Sequence, residues 1–168
     1  MKNNVVVTNM QTKIKIPSGI KLLIRRSCNA VLEYEGISYP VEIGVSIIDN
    51  DEIRKINSEY RGIAEETDVL SFPLYEKDQI KDIREDEHPV SLGDIVFSIE
   101  KAYSQSSIYN HTLQREIAFL IVHSMLHLLG YDHEEGGLQE VHMREKEETI
   151  LTKLGLPRGF NYVADDDM

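Results

Sequence analysis

The chain of 168 residues lacks several features that mark other protein classes. It has one cysteine, Cys28, so no disulfide can form within it, which fits a reducing compartment. No run approaches the ~20 apolar residues of a membrane-spanning helix, and the N-terminus has no apolar stretch typical of a secretion signal. We therefore expect a cytoplasmic protein with no membrane partner. The length suits a single domain, residues 1–168, with 164–168 as a disordered acidic tail.

Basic residues are also scarce. The chain has 18 lysines and arginines against 29 acidic residues, a net charge of −11, which disfavours a polyanionic partner. The distribution is uneven, because residues 1–32 contain no acid and carry +6, whereas the remainder carries −17. The basic segment 1–32 could bind the phosphates of a nucleic acid or simply be a solvated face, and the sequence leaves both interpretations open. Its basic residues are Lys2, Lys13, Lys15, Lys21, Arg25 and Arg26.

Three histidines in one short run are the strongest chemical signal. His123 and His127 are four apart and share one face of a helix. Gly130 interrupts that helix, and His133 follows the break. Three neutral imidazoles with no fourth protein ligand in the run predict an open, catalytic-type metal site, most naturally for one zinc ion. Nickel, cobalt or copper would also accept these nitrogens.

Two other interpretations of this run exist. A lone histidine among apolar residues is usually a satisfied core residue, but three at this ligand spacing are not expected by chance. The spacing also equals that of the zinc-protease signature His-Glu-x-x-His-x-x-Gly-x-x-His. Here Ser124 occupies the position of the glutamate that acts as general base, and a serine hydroxyl is not a useful base near neutral pH. A zinc peptidase is therefore the weaker alternative.

The run His123–His133 resembles the signature of the YbeY family of bacterial endoribonucleases, with Ser124 in place of the usual glycine. Residues 57–62 with 67–73, and residues 92–98, are similar to two further family segments in the same order. The resemblance spans roughly residues 41–155. Glu65 and Glu66 depart from it, because the family often has Lys-Pro there, so the resemblance implies no lysine in that loop.

The resemblance implies a metal-dependent endoribonuclease specific for single-stranded RNA, acting in ribosomal RNA maturation at the small-subunit 3′ end and in ribosome quality control. The implied partners are ribosomal RNA and the ribosome or its proteins. It also implies that His123 and Arg61 matter for activity. A guanidinium suits phosphate because it forms a charged, bidentate fork, although an arginine at a helix end also favours the helix dipole. A ribosome-assembly factor with a purely structural metal is the remaining alternative.

The chemistry leaves other questions open. A cation on three neutral ligands keeps its charge, so it can bind a phosphate oxygen or activate a water. Attack by the 2′-hydroxyl of the RNA is a third route.

Other polar residues carry weaker expectations. Asp132 could orient a ligand imidazole or form a turn. Asp68 and Ser71 are expected on an extended strand lining the cleft, Asp94 at a strand start in a structural role, and His142 on the surface of a helix. Residues 76–87 are expected to form an exposed, mobile acidic insertion.

Apolar periodicity predicts a mixed α/β, or α+β, fold: a small sheet of about four strands with surrounding helices and a buried central helix carrying the metal ligands. Asp49 or Asn50 should cap the helix 51–60, and Gly62 should end it. The predicted strands are 5–8, 41–48, 69–72 and 94–98, and the predicted helices 17–35, 51–60, 99–106, 113–129 and one ending at 154.

Overall fold

The computed structural model describes residues 3–63, 65, 67–81, 83, 89–131 and 137–158. Along the chain these form β1 (Asn4–Asn9), α1 (Ile20–Tyr34), β2 (Val41–Ile48), α2 (Asn50–Arg61), β3 (Val69–Pro73), α3 (Lys77–Lys81), β4 (Val90–Ser98), α4 (Ile99–Ile108), α5 (Leu113–Leu128) and α6 (Gly137–Lys153). No helix in these ranges is long and apolar enough to span a membrane.

The four strands form one mixed sheet in the order β1-β2-β4-β3. β1 and β4 each run parallel to β2, whereas β3 is antiparallel to β4. Alternate residues of the strands supply two apolar clusters on opposite faces. Ile47 and Phe97 belong to the large core, whereas Ile48 and Val96 belong to a smaller cluster with Ile53 of α2. The prediction of a mixed α/β fold is therefore confirmed.

The central helix is α5. Eleven of its sixteen residues are buried, and it packs against α1, α4, α6, β3 and β4. Thr112 caps its first turn, because the Thr112 side chain accepts a hydrogen bond from the Arg115 backbone. The helix is therefore fixed on several sides, and side chains near its C-terminus have a rigid base.

Position 130, just after the end of α5, requires glycine for two physical reasons. Its φ is +96°, in the left-handed region that favours glycine. A Cβ at this position would lie 2.4 Å from the Cβ of Lys77 and 2.7 Å from its Cα. Glycine therefore lets α3 approach the end of α5 closely, and the predicted break at Gly130 is confirmed.

Several element boundaries differ from the predictions. α1 begins at Ile20 rather than Pro17, because residues 18 and 19 form a turn and Gly19 has a φ of +88°. β4 begins at Val90, which places Asp94 in mid-strand opposite Gly44 and Phe72 rather than at a strand start. A Cβ at Gly44 would lie 2.4 Å from Asp94 Oδ1, so this glycine makes room for the carboxylate.

The expectation of an exposed acidic insertion over 76–87 holds for residues 76–79, which are exposed, but not for Ile80. Residues 77–81 form the helix α3, and Ile80 is buried in the large core. The burial of one isoleucine and the close contact at Gly130 outweigh the acidic composition. Residues 82 and 84–87 of the insertion, and the tail 164–168, lie outside the described residues.

Candidate metal centre and cleft

Two of the three predicted histidine ligands converge at the base of a cleft. His123 and His127 lie one turn apart on α5, both half-buried, and their Nε2 atoms are 3.1 Å apart. Two nitrogen ligands of one tetrahedral zinc ion, each at ~2.0–2.1 Å, would be separated by about 3.3 Å. The observed separation is close to that value, so the pair fits one shared cation.

The third predicted ligand, His133, lies outside the described residues, as does Asp132. Within the described part of the chain, no three histidine, cysteine or acidic side chains are grouped so that they could hold a metal ion. The set His123, His127 and His133 therefore stays a prediction.

A buried glutamate that the sequence analysis missed contacts His123. Glu147 lies on α6, its side chain is 5% exposed, and its Oε2 is 2.5 Å from Nδ1 of His123. With Nδ1 directed at a carboxylate, Nε2 faces His127. A carboxylate on the far nitrogen of a ligand histidine is the usual arrangement in metal sites, since it fixes the ring and its tautomer.

Further contacts hold the helix that supplies this glutamate. Arg115 Nη2 of α5 donates to both carboxylate oxygens of Glu148, at 2.8 and 2.9 Å. The ring of Phe119 stacks on that of His123, with centroids 5.8 Å apart and planes 25° apart. Glu147 and Glu148, neighbours on α6, thus contact His123 and Arg115 of α5. The imidazole of His123 is fixed by both a hydrogen bond and a ring contact.

The cleft itself has a volume of 890 Å³. Its lining includes His123 and His127 from α5, Arg61 from the end of α2, and Lys77 from the start of α3. The structure therefore brings Arg61 to the same cleft as the paired imidazoles, although 62 residues separate Arg61 from His123 in sequence. The remaining lining residues are Tyr60, Thr67, Asp68, Val69, Leu70, Ser71, Phe72, Pro73, Tyr75, Glu76, Gly130 and Tyr131.

The predicted helix caps explain the position of Arg61. Asp49 caps α2 by accepting a hydrogen bond from the backbone of Glu52, and Gly62 ends the helix with a φ of +69°. Arg61 is consequently the last residue of α2 and is exposed. Asn57, itself buried, donates to the backbone carbonyl of Glu65 at 3.0 Å and so holds the loop that leads to β3.

Asp68 and Ser71 line the cleft as predicted, Ser71 on β3 and Asp68 just before it. Asp68 accepts a long hydrogen bond of 3.4 Å from Gln105 of α4. Gln105 also donates to the buried carboxylate of Glu116 at 2.7 Å, and His111 contacts the same carboxylate at 2.6 Å. Glu116 is therefore held in a structural network behind the cleft.

A second network holds the chain as it leaves Gly130. The hydroxyl of Tyr131 donates to Glu35 of α1 at 2.5 Å, and the Lys146 ammonium donates to the other oxygen of Glu35 at 2.9 Å. Burial, followed by the bond to Glu35, raises the pKa of Tyr131. Burial alone would lower the pKa of Lys146, but the hydrogen bonds with Glu35 and Tyr131 raise it. The segment that leads to His133 is thereby fixed to α1 and α6 at its first residue.

The basic N-terminal segment contributes no described residue to the cleft lining. Lys13 instead donates to Asp51 at 2.6 Å, and Arg25 Nε donates to the backbone carbonyl of Val5 at 3.4 Å. Among the lining residues that the structure describes, lysine and arginine are represented by Lys77 and Arg61.

Comparison with known proteins identifies the family of the chain. The sequence profile of the family described as Endoribonuclease YbeY matches residues 6–155. The chain belongs to the YbeY endoribonuclease family. The Endoribonuclease YbeY of Caldanaerobacter subterraneus subsp. tengcongensis is 50% identical over 161 residues, covering 92% of this chain and 99% of the relative. That of Clostridioides difficile is 45% identical over 156 residues, with the same coverage of each chain.

A solved structure shows the same fold at low sequence identity. The solution structure of TM1509 from Thermotoga maritima superimposes with a TM-score of 0.57 and 22% identity, covering 89% of this chain and 91% of that one.

Membership of the YbeY family does not support the peptidase alternative or the assembly factor with a structural metal. The position of Ser124 agrees, because this residue is fully buried and does not line the cleft. Its Oγ has no hydrogen-bond partner among the described residues.

Proposed function

We propose that this chain is a metal-dependent endoribonuclease that cuts single-stranded RNA, with ribosomal RNA as its natural substrate. One observation carries the proposal: Arg61 and the paired imidazoles of His123 and His127 line one cleft. The cleft volume of 890 Å³ suits a few nucleotides of single strand. The relatives that bear the name Endoribonuclease YbeY support the reaction type.

We propose that His123, His127 and His133 hold one divalent cation, most naturally zinc. When bound, such a cation stabilises the negative charge that develops on a phosphate during cleavage. The donor set fits because imidazole nitrogens are zinc ligands, and Nε2 of His123 and Nε2 of His127 are 3.1 Å apart. His133 is included on the sequence spacing alone.

The chain's own residues have separate tasks in this proposal. Arg61 holds the scissile phosphate, because a guanidinium stays charged and donates two parallel hydrogen bonds to phosphate oxygens. Lys77 adds a second positive charge to the lining, so Lys77 and Arg61 together balance Asp68 and Glu76 in the same cleft. Glu147 is a positioning residue, which keeps Nε2 of His123 directed into the site.

Action on ribosomal RNA would bring the protein to the ribosome. We therefore propose that it acts in the bacterial cytoplasm. Ribosomal proteins are the partners that such a substrate implies. The net charge of −11 favours weak binding to free RNA, so a protein contact on the ribosome would add needed affinity.

The test compares metal-loaded and metal-stripped protein on single-stranded RNA, duplex RNA and casein. We expect metal-dependent cutting of the single strand, with His127→Ala and Arg61→Lys both losing most of kcat/KM. The Arg61→Lys variant keeps the charge but loses the fork. Metal-loaded protein that leaves RNA intact, or cuts casein, would refute the proposal.

The inactive variants, purified in the same way as the unmodified protein, exclude contaminating nucleases, and matched controls show that the loss is specific to the cleft. His142 is exposed on α6 and Arg26 lies on α1, and neither lines the cleft. His142→Ala and Arg26→Ala should therefore retain the activity of the unmodified protein.

A further inference from the structure

Four aromatic side chains line the cleft, and they differ in how much ring they offer to a ligand: Tyr60, Phe72, Tyr75 and Tyr131. The ammonium groups of Lys77 and Lys146 lie 4.5 and 4.8 Å from the ring centroid of Tyr131, so this ring is already in contact with two cations. Tyr75 is half-buried against the large core.

Tyr60 differs from the other three. It is 69% exposed on the last turn of α2. Its ring makes an edge contact with the half-buried ring of Phe72, with centroids 5.4 Å apart and planes at 66°. Phe72 in turn packs on the small apolar cluster that includes Ile53 and Leu70. Tyr60 is thus held by the contact with Phe72, lines the cleft and keeps most of its side chain exposed.

The positive charge of Arg61 beside Tyr60 suits a nucleotide. Arg61 is the next residue in the chain, and both side chains line the cleft. A nucleotide has an aromatic base and an anionic phosphate a few ångströms apart, so adjacent aromatic and guanidinium groups complement it.

We propose that Tyr60 is a stacking platform for an unpaired nucleobase of the RNA whose phosphate Arg61 binds. The inference rests on the proposed function and adds that the cleft recognises an unpaired base of the substrate through Tyr60. Bases within a duplex are stacked on their neighbours and have no free face to offer, whereas a single strand can turn one base onto an aromatic ring. Tyr60 would therefore contribute to selection of single strands over duplexes.

The test measures cleavage kinetics of metal-loaded Tyr60→Ala, Tyr60→Phe and Tyr109→Ala. Tyr109 is a matched control, since it is 52% exposed and lies outside the cleft lining. Stacking of one base on an aromatic ring predicts that Tyr60→Ala raises KM for single-stranded RNA by about 5- to 150-fold, with a much smaller change in kcat. Tyr60→Phe should stay within about twofold, because it keeps the ring, and so should Tyr109→Ala.

A set of RNAs that each lack one base near the cut site identifies the contact. At one position, removal of the base should weaken binding to the unmodified protein but not to Tyr60→Ala. Equal KM values for Tyr60→Ala and Tyr109→Ala, or base-removal penalties that are the same in both proteins at every position, would overturn the inference while leaving the nuclease proposal intact. An unmodified protein that neither binds nor cuts RNA would overturn both.

Discussion

The contact between Glu147 and His123 gives the sharpest quantitative prediction. The carboxylate is 5% exposed and lies 2.5 Å from Nδ1 of His123. A hydrogen bond to a charged group contributes about 1.5–3 kcal/mol, and loss of an outer partner of a metal ligand weakens metal binding about 10- to 100-fold. The two estimates agree, because a tenfold change in affinity corresponds to about 1.4 kcal/mol. We therefore expect Glu147→Ala to raise the Kd for zinc about 10- to 100-fold.

Two substitutions of Glu147 separate the effect of its charge from the effect of its shape. Glu147→Gln keeps a hydrogen-bond acceptor of the same size, so the loss of zinc affinity should be smaller than in Glu147→Ala. Glu145 is exposed on the same helix, and Glu145→Ala should bind zinc as the unmodified protein does. The affinity for zinc is therefore expected to be highest in Glu145→Ala, lower in Glu147→Gln and lowest in Glu147→Ala.

The assay is competition for zinc against a chromophoric chelator, with urea unfolding of each metal-free variant measured in parallel. Unfolding identifies any variant whose affinity falls because the packing of α6 on α5 is lost. Folded Glu147→Ala protein with a zinc affinity within about threefold of the unmodified protein would show that the carboxylate does not position His123 for a metal.

Three further predictions concern the scaffold. Gly130→Ala should lower the free energy of unfolding by about 1–3 kcal/mol more than Gly36→Ala, since both glycines have positive φ but only the first meets neighbouring atoms; equal losses in urea unfolding would contradict this. Burial raises the pKa of Cys28 to about 12, so a thiol-reactive dye at pH 8 should label the native protein more than about 100-fold slower than the urea-unfolded protein; similar rates would show that α1 is not packed as described. Glu116→Ala should cost about 1–3 kcal/mol, because His111 loses its partner, and an unchanged unfolding midpoint would contradict the network behind the cleft.

The half of the site that could be predicted from sequence depends on local rules. The spacing of His123 and His127 specifies one helix face whatever the tertiary structure, and the apolar residues around them predict a buried helix. The place of Arg61 at a helix end follows from a capping aspartate, Asp49, and a terminal glycine, Gly62.

The other half depends on packing between distant elements. Glu147 is one of four glutamates on α6, and only the docking of that helix on α5 buries it against His123. The local sequence carries a partial signal, since Met143, Glu147, Ile150 and Leu151 are the buried residues at helical spacing. The acidic composition of residues 76–87 gave no sign of the helix α3, which is held by Ile80 and by close approach to Gly130. Composition does not reveal such contacts.

The central claim is that His123, His127 and His133 bind one cation, with a coordination position left for substrate. Anomalous diffraction from crystals of the zinc-loaded protein tests it most directly. We predict one zinc peak between the Nε2 atoms of His123 and His127, at ~2.0–2.1 Å from each, with His133 as the third protein ligand and no fourth. A peak remote from these nitrogens, or a fourth side chain closing the coordination sphere, would contradict the account.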